Sequence, residues 1–219
     1  ACGKHYSAAT FSDYYGQNKR RVNPLVLKLY CSGSSQRRIA KLLKINLKTV
    51  ARKLHFLNVW VQSKQPLIPL RTKEIQFDEM ESWIHTKLKP VSIIVAVEKE
   101  SRFILDINVK GMPAKGLIKK KSLKKYGKLK DERPKGMREV FANLEKHLKQ
   151  NIQIESDENP RYPKVIRKHF PKAKYKRYKG RRGCVVGQGE LKAGGFDPLF
   201  SLNHTCAMIR ANVNRLFRR

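Results

Sequence analysis

The chain of 219 residues carries 49 lysines and arginines against 17 aspartates and glutamates, a formal net charge of +32 spread along its whole length. That excess is far more than solubility requires and points to a polyanionic partner, while a hydrophobic content of 40% suits packed cores and argues against a merely basic tail. No stretch approaches the ~18 uninterrupted apolar residues of a membrane span, and residues 1–20 lack the apolar core of a signal peptide, so a cytosolic protein of one or two domains is expected. Cys2, Cys31, Cys184 and Cys206 are scattered without a C-x-x-C pair, which predicts reduced, mostly buried thiols rather than a disulfide framework.

Residues 1–7, Ala-Cys-Gly-Lys-His-Tyr-Ser, look like the second knuckle of a zinc ribbon. Only one ligand of that knuckle is present, so residues 1–20 are expected to be the remnant of a module whose other ligands lie upstream, and zinc is not expected. Residues 21–60 read as a helix-turn-helix. Apolar residues fall at helical spacing at Ile39, Ala40, Leu43, Val50 and Leu54, Ser35 is placed to cap one helix, and Ile45 to plug the turn. The following helix, beginning near Leu47, is expected to present Lys48, Thr49, Arg52 and Lys53 outward, a basic face suited to DNA.

Pro66 and Pro69 mark residues 61–72 as a linker, and residues 73–219 as a new domain. Glu74–Met80 alternates like a strand, Val91–Glu98 is a buried apolar strand and Arg102–Val109 a third, with tight connections that predict an antiparallel meander. A basic insertion at 110–130 is interrupted by Gly111, Gly116 and Gly127 and reads as a mobile loop laid against nucleic acid. Beyond it come an amphipathic helix at Met137–Gln150, a strand at Asn151–Asp157, a helix at Tyr162–Phe170, a strand at Tyr175–Tyr178, a Gly-rich stretch and a final helix at about Leu202–Arg218. The fold class is therefore α/β (α+β), with the element order of a ribonuclease H-like mixed sheet flanked by helices.

Cutting a phosphodiester with two cations requires oxygen ligands from separate elements gathered at one edge of a sheet. Asp78 on the first strand and Asp157 at the end of the fourth meet that demand, because in such a sheet those two strands are neighbours.

Together these residues resemble a family, the bacterial insertion-sequence transposases with a zinc ribbon, a helix-turn-helix and a DDE-type catalytic domain. The resemblance covers nearly the whole chain. It rests on Cys-Gly-Lys-His-Tyr-Ser at 2–7, Ser-Gly-Ser-Ser-Gln-Arg-Arg-Ile-Ala-Lys-Leu-Leu at 32–43, Phe-Asp-Glu-Met at 77–80, Ser-Asp-Glu-Asn at 156–159 with Tyr162, and the run from Asn203-His204 through Arg210 to Arg215-Leu216-Phe217-Arg218. It implies Asp78 and Asp157 as the first two catalytic acids. The family's third acid, a glutamate seven residues before the arginine matching Arg210, falls on Asn203 here, so the implied metal ligands form an Asp78, Asp157, Asn203 triad with one negative charge fewer. Glu190 and Asp197 are the nearby acids that could replace Asn203.

The resemblance further implies two Mg²⁺ or Mn²⁺ ions, double-stranded DNA as partner (terminal repeats and target), a homo-oligomer on DNA, no membrane, and a nucleoid-associated cytoplasmic protein of a bacterium or archaeon. Arg210, Arg215 and Arg218, broadly on one side of the final helix with Ala207 and Val213 packing it, would hold phosphates, as would the lysine-rich loop; His204 is expected in a supporting or surface position. Two alternatives stand beside this expectation: a non-catalytic DNA-binding protein or inactivated copy, and a structure-specific nuclease.

Overall fold

A computed structural model describes residue 3, residues 5–64, 72–180, 191–192 and 195–213, and residue 216. The chain divides into two compact units, Ala1–Ile68 with Arg210–Arg219, and Pro69–Ile209.

The first unit is built on three helices, α1 (Asn23–Cys31), α2 (Gln36–Leu42) and α3 (Leu47–Lys64). Pro24 opens α1, where its missing N–H is no loss. Ser35 caps α2, its hydroxyl accepting from the Arg38 N–H at 3.3 Å, and Asn46 caps α3 by accepting from the Lys48 N–H at 2.8 Å. Val26, Ile39, Val50 and Leu57, one or two from each helix, form the buried core, with Ile45 packed against it from the turn. That turn is tight enough to hold Lys44 at φ 49°, in the left-handed region usually given to glycine.

Residues before α1 pack onto this unit rather than forming a separate remnant. The Trp60 indole N–H donates to Asp13 at 2.8 Å, and the Lys53 ammonium donates to Asn23 Oδ1 at 2.7 Å and to the Asn18 carbonyl at 3.1 Å. Helix α3 continues to Lys64, into the segment expected as linker; residues 65–71 lie outside the described residues. Cys31 is exposed, against the expectation of a buried thiol, whereas Cys206 in the second unit is buried; Cys2 and Cys184 lie outside the described residues.

The second unit is a mixed α/β structure with a five-stranded sheet in the order β3-β2-β1-β4-β5. Strands β1 (Glu74–Trp83), β2 (Pro90–Glu98) and β3 (Ile104–Gly111) form the expected antiparallel meander, while β4 (Gln153–Asp157) pairs parallel with β1 and β5 (Lys174–Tyr178) parallel with β4. Side chains alternate between the faces of a strand. Ile75 and Phe77 of β1, Ile94 and Ala96 of β2 and Ile154 of β4 therefore point to one face, where they bury against α5 (Arg133–Glu145) and α6 (Tyr162–His169) through Met137, Val140, Phe141, Leu144 and Ile166. Phe77 meets Phe141 edge-on at 5.0 Å between ring centroids. Helix α5 comes so close to the sheet that only glycine fits at 136, where an added Cβ would stand 2.9 Å from Ile94 Cδ1 and closer still to the Lys110 side chain.

Residues 110–130 correct the expectation of a loop: they contain α4 (Lys119–Tyr126), entered through a turn at Gly116–Ile118 and stopped at Gly127, whose φ of 72° suits glycine. The last helix, α7, runs from Phe200 to Asn212, ahead of which Leu191–Lys192 and Gly195–Phe196 make a short hairpin of strands β6 and β7. Leu202, Thr205 and Cys206 are its buried residues. Ala207 and Val213, expected to pack it, are exposed, because the buried side of the helix is set by the sheet beneath its first turns. No helix among the described residues is long and apolar enough to cross a membrane.

Candidate active site

The second face of the sheet gathers the polar residues. The parallel register pairs Gln76 with Glu155, and continuing it two positions along both strands sets Asp78 across from Asp157 at the carboxyl end of β4. Period-two alternation puts all four on one face. Helix α7 is tied to that face through Gln76: the Leu202 N–H donates to Gln76 Oε1 at 3.1 Å, and Gln76 Nε2 donates to the Pro198 carbonyl at 2.8 Å and to Glu155 Oε2 at 2.9 Å. Both aspartates and the helix bearing Asn203 are thus brought to the same side of β1 and β4.

Each aspartate has one oxygen committed to the protein. Asp78 Oδ1 accepts from the Glu79 N–H at 2.6 Å and from the Tyr162 hydroxyl at 3.2 Å, and Asp157 Oδ1 accepts from the Asn159 N–H at 3.1 Å. Neither Oδ2 has a donor among the described residues, so each carboxylate keeps an oxygen for a ligand from outside. Burial, and after it the charge of Asp157, raise the Asp78 carboxyl to about 6 against the hydrogen bonds from Glu79 and Tyr162. Tyr162 starts α6 with its ring packed 4.7 Å from Phe77; burial, then the charge of Asp78, hold its hydroxyl protonated as a donor. The cations near Glu79 are engaged elsewhere, Arg133 with Asp131 through contacts of 2.8 and 2.6 Å and Arg161 with Asp131 at 3.7 Å.

Asn203 lies in the first turn of α7, and its Nδ2 donates to Asp197 Oδ2 at 2.7 Å. Asp197 is 3% exposed and its other oxygen accepts from the Leu199 N–H at 3.1 Å, so it both opens the helix and fixes which end of the Asn203 amide is the donor. Asn203 Oδ1 is left as the acceptor. Asp197, expected from the sequence as a possible replacement for Asn203, is hydrogen-bonded to it; Glu190 lies outside the described residues. His204 faces Arg102, whose guanidinium approaches Nδ1 at 3.2 Å, and its ring packs at a tilt 5.5 Å from that of Phe200.

Two facing carboxylates with no lysine or arginine hydrogen-bonded to either among the described residues suit a hard divalent cation, and Asn203 stands on the helix tied to the same face. Among the described residues no group of three or more His, Cys, Asp and Glu side chains gathers as a metal site.

On α3, Lys48 and Arg52 are exposed and Thr49 half-buried, as expected of an outer face. Lys53 is not on it. It is buried, 4% exposed, against Asn18 and Asn23, and burial pushes its ammonium down. The exposed lysines and arginines from α2 through the described part of α3 are Arg37, Arg38, Lys41, Lys44, Lys48 and Arg52. Arg210 is half-buried near the end of α7, while Arg215 and Arg218 lie outside the described residues. Sequence reading also misses Gln76, whose only signal is a polar residue inside an otherwise buried strand. No family model matches this chain, and no curated protein sequence does either.

Proposed function

We propose that the chain is a metal-dependent DNA phosphotransferase. The observation that carries this reading is Asp78 opposite Asp157 on neighbouring parallel strands, each with one carboxylate oxygen unengaged by the described residues and Asp78 pushed up to about 6 by burial and by its neighbour. Further support comes from the strand order β3-β2-β1-β4-β5 with helices on the sheet, the arrangement of ribonuclease H-like folds, and from the charge of +32. Within that class the reading supported best is an insertion-sequence transposase. The chain joins a three-helix unit with a basic recognition helix to the acid-bearing sheet, and a structure-specific nuclease has no need of such an end-reading module.

In this reading Asp78 and Asp157 would hold the cations, with Tyr162 fixing the rotation of the Asp78 carboxylate and Asp197 holding the Asn203 amide so that its Oδ1 would be free to join them. Two Mg²⁺ or Mn²⁺ ions, when bound, would stabilise the attacking and departing oxygens of an in-line displacement. Lys48 and Arg52 read the element's terminal repeats, and two copies of the chain hold two ends. The neutral Asn203 favours a second reading, a protein that binds ends without cutting them.

The deciding experiment follows purified protein on end-containing duplex with Mn²⁺ or Mg²⁺. Cleavage and strand transfer are expected to fall by about a thousandfold or more in Asp78→Ala and Asp157→Ala, the scale on which a reaction's main electrostatic groups act, and to rise in Asn203→Glu. Cleavage unchanged in both alanine variants overturns the site; metal-independent binding without any cleavage gives the second reading.

A further inference from the structure

Helix α4 is a lysine cluster that the candidate site does not use. Its eight residues include Lys119, Lys120, Lys121, Lys124 and Lys125 and no acid, and all five are exposed. Four lysines of the same unit do meet carboxylates: Lys99 meets Glu155 at 2.9 Å, Lys110 and Lys135 meet Glu139 at 2.7 and 3.9 Å, and Lys115 meets Glu81 at 2.6 Å. The five of α4 have no such partner among the described residues.

The helix also opposes itself. Lys120 with Lys124, Lys121 with Lys124 and Lys121 with Lys125 are like charges three or four apart, a spacing that destabilises an isolated helix. At eight residues α4 is too short to persist alone. It is held in place from outside, by the turn between β1 and β2. The Ser122 hydroxyl, buried, donates to the Leu88 carbonyl at 2.7 Å, the Tyr126 hydroxyl meets His85 Nε2 at 3.2 Å, and the Lys89 ammonium sits 4.4 Å above the Tyr126 ring. Lys87 and Lys89 on that turn extend the basic surface.

We propose that α4 and the β1–β2 turn form a preordered landing face for the phosphate backbone of duplex DNA. Repulsion among unpaired lysines is relieved when phosphates replace the small counterions around them, and a face already ordered loses little freedom on binding. Single strands are a poorer match, because their binding uses aromatic rings as stacking platforms, and the only ring of α4, Tyr126, is engaged by His85 and Lys89. An anionic membrane is a poorer match too: an interfacial helix needs an apolar side, and the exposed Leu123 of α4, with Leu117 before it and Ile84 on the turn, is outnumbered by the lysines of the face. The inference rests on the DNA-binding part of the proposed function and not on its chemistry.

The test measures binding to a duplex of arbitrary sequence without divalent cation, as the slope of log K against log salt. The whole chain is compared with Lys120→Gln/Lys121→Gln/Lys124→Gln/Lys125→Gln and with a control of equal charge loss, Lys149→Gln/Lys168→Gln/Lys172→Gln/Lys174→Gln, at exposed positions outside this face. The α4 variant is expected to flatten the slope by about 2 to 4, near 0.9 for each phosphate no longer neutralised, with the control changing it by less than about 1. Its thermal midpoint should hold or rise, since repulsion is removed. Equal flattening in both variants, an unchanged slope in the α4 variant, or loss of binding to phosphatidylserine vesicles with duplex binding intact overturns the proposal. Failure of cleavage does not touch it, whereas an unmodified chain that ignores duplex DNA removes both.

Discussion

Two pairs of residues on the same face of the same two strands differ in how their charge is met. Toward the amino end of β4, Glu155 is fully buried and surrounded: Lys99 donates to it at 2.9 Å, Gln153 at 2.8 Å and Tyr178 at 3.2 Å, besides Gln76, and Glu74 shares Lys99 at 2.9 Å. Burial pushes its carboxyl up, but the hydrogen bonds from Lys99 and Gln76 outweigh that and leave it below the usual range. Two residues onward Asp78 and Asp157 face each other with backbone N–H groups and a phenol for company and no cation, and Asp78 rises to about 6. The difference separates a carboxylate compensated within the chain, which serves the fold, from a pair that no described cation compensates, as the proposed metal binding would require.

Breaking the first member has the largest expected effect. Glu155→Ala strands Lys99 beside a vacated buried site and should lower unfolding free energy by about 3 kcal/mol, the scale of a broken buried pair softened by the remaining Glu74; denaturant titration of the second unit would show it, and a loss below about 1 kcal/mol would make Glu155 dispensable. The second member should respond with opposite sign. Asp78→Asn keeps the acceptor for the Glu79 and Tyr162 donors but removes the charge, so metal-free protein at pH 7 is expected to gain about 2 kcal/mol while losing cleavage. A variant that loses both would make Asp78 structural.

Acidity sharpens the same contrast. Asp78 holds its proton to about pH 6 when folded but to 3.8 ordinarily, so its contribution is present below pH 3.8 and is lost as pH rises toward 6. Glu155, with a lowered carboxyl, contributes stability above pH 4.5 that is lost as pH falls through its folded value. Melting curves between about pH 4 and 6 should therefore show Asp78→Asn removing a declining component, and added Mn²⁺ reversing that decline in the unmodified chain alone. The smallest effect belongs to Tyr162→Phe. The ring stays packed on Phe77, stability changes by less than about 1 kcal/mol, and Mn²⁺ affinity measured by calorimetry falls several-fold as the Asp78 carboxylate gains rotation. Unchanged affinity would show that the hydroxyl does not orient it.

Local chemistry is legible in the sequence and long-range partnership is not. The Ser35 cap, the three-strand meander and the strand positions of Asp78 and Asp157 follow from residue type and spacing within a few positions. The helical period misplaces Lys53 because it gives only the direction of a side chain; that Asn18 and Asn23 wait to receive the ammonium is a fact of tertiary packing. In the basic insertion, Gly116 and Gly127 look like interruptions but are the two bounds of α4, whose pinning by His85 and Leu88 has no local signature. Charge alone makes Asp197 a candidate ligand, and only the 2.7 Å contact gives it the role of holding Asn203.

The parallel pairing of β1 with β4 also sets an order of events during synthesis. The meander closes through short turns and the three-helix core ends by Leu57, so both can assemble from neighbouring segments within microseconds to milliseconds. Gln76 and Glu155 are 79 residues apart, and the intervening chain must be made and brought back before Asp78 meets Asp157. A ribosome adding roughly 5 to 20 residues per second takes several seconds to cross that interval. Once β3 has been made, the growing chain has a meander with its β1 edge open, and Asp78 stays an isolated carboxylate until β4 arrives with Asp157.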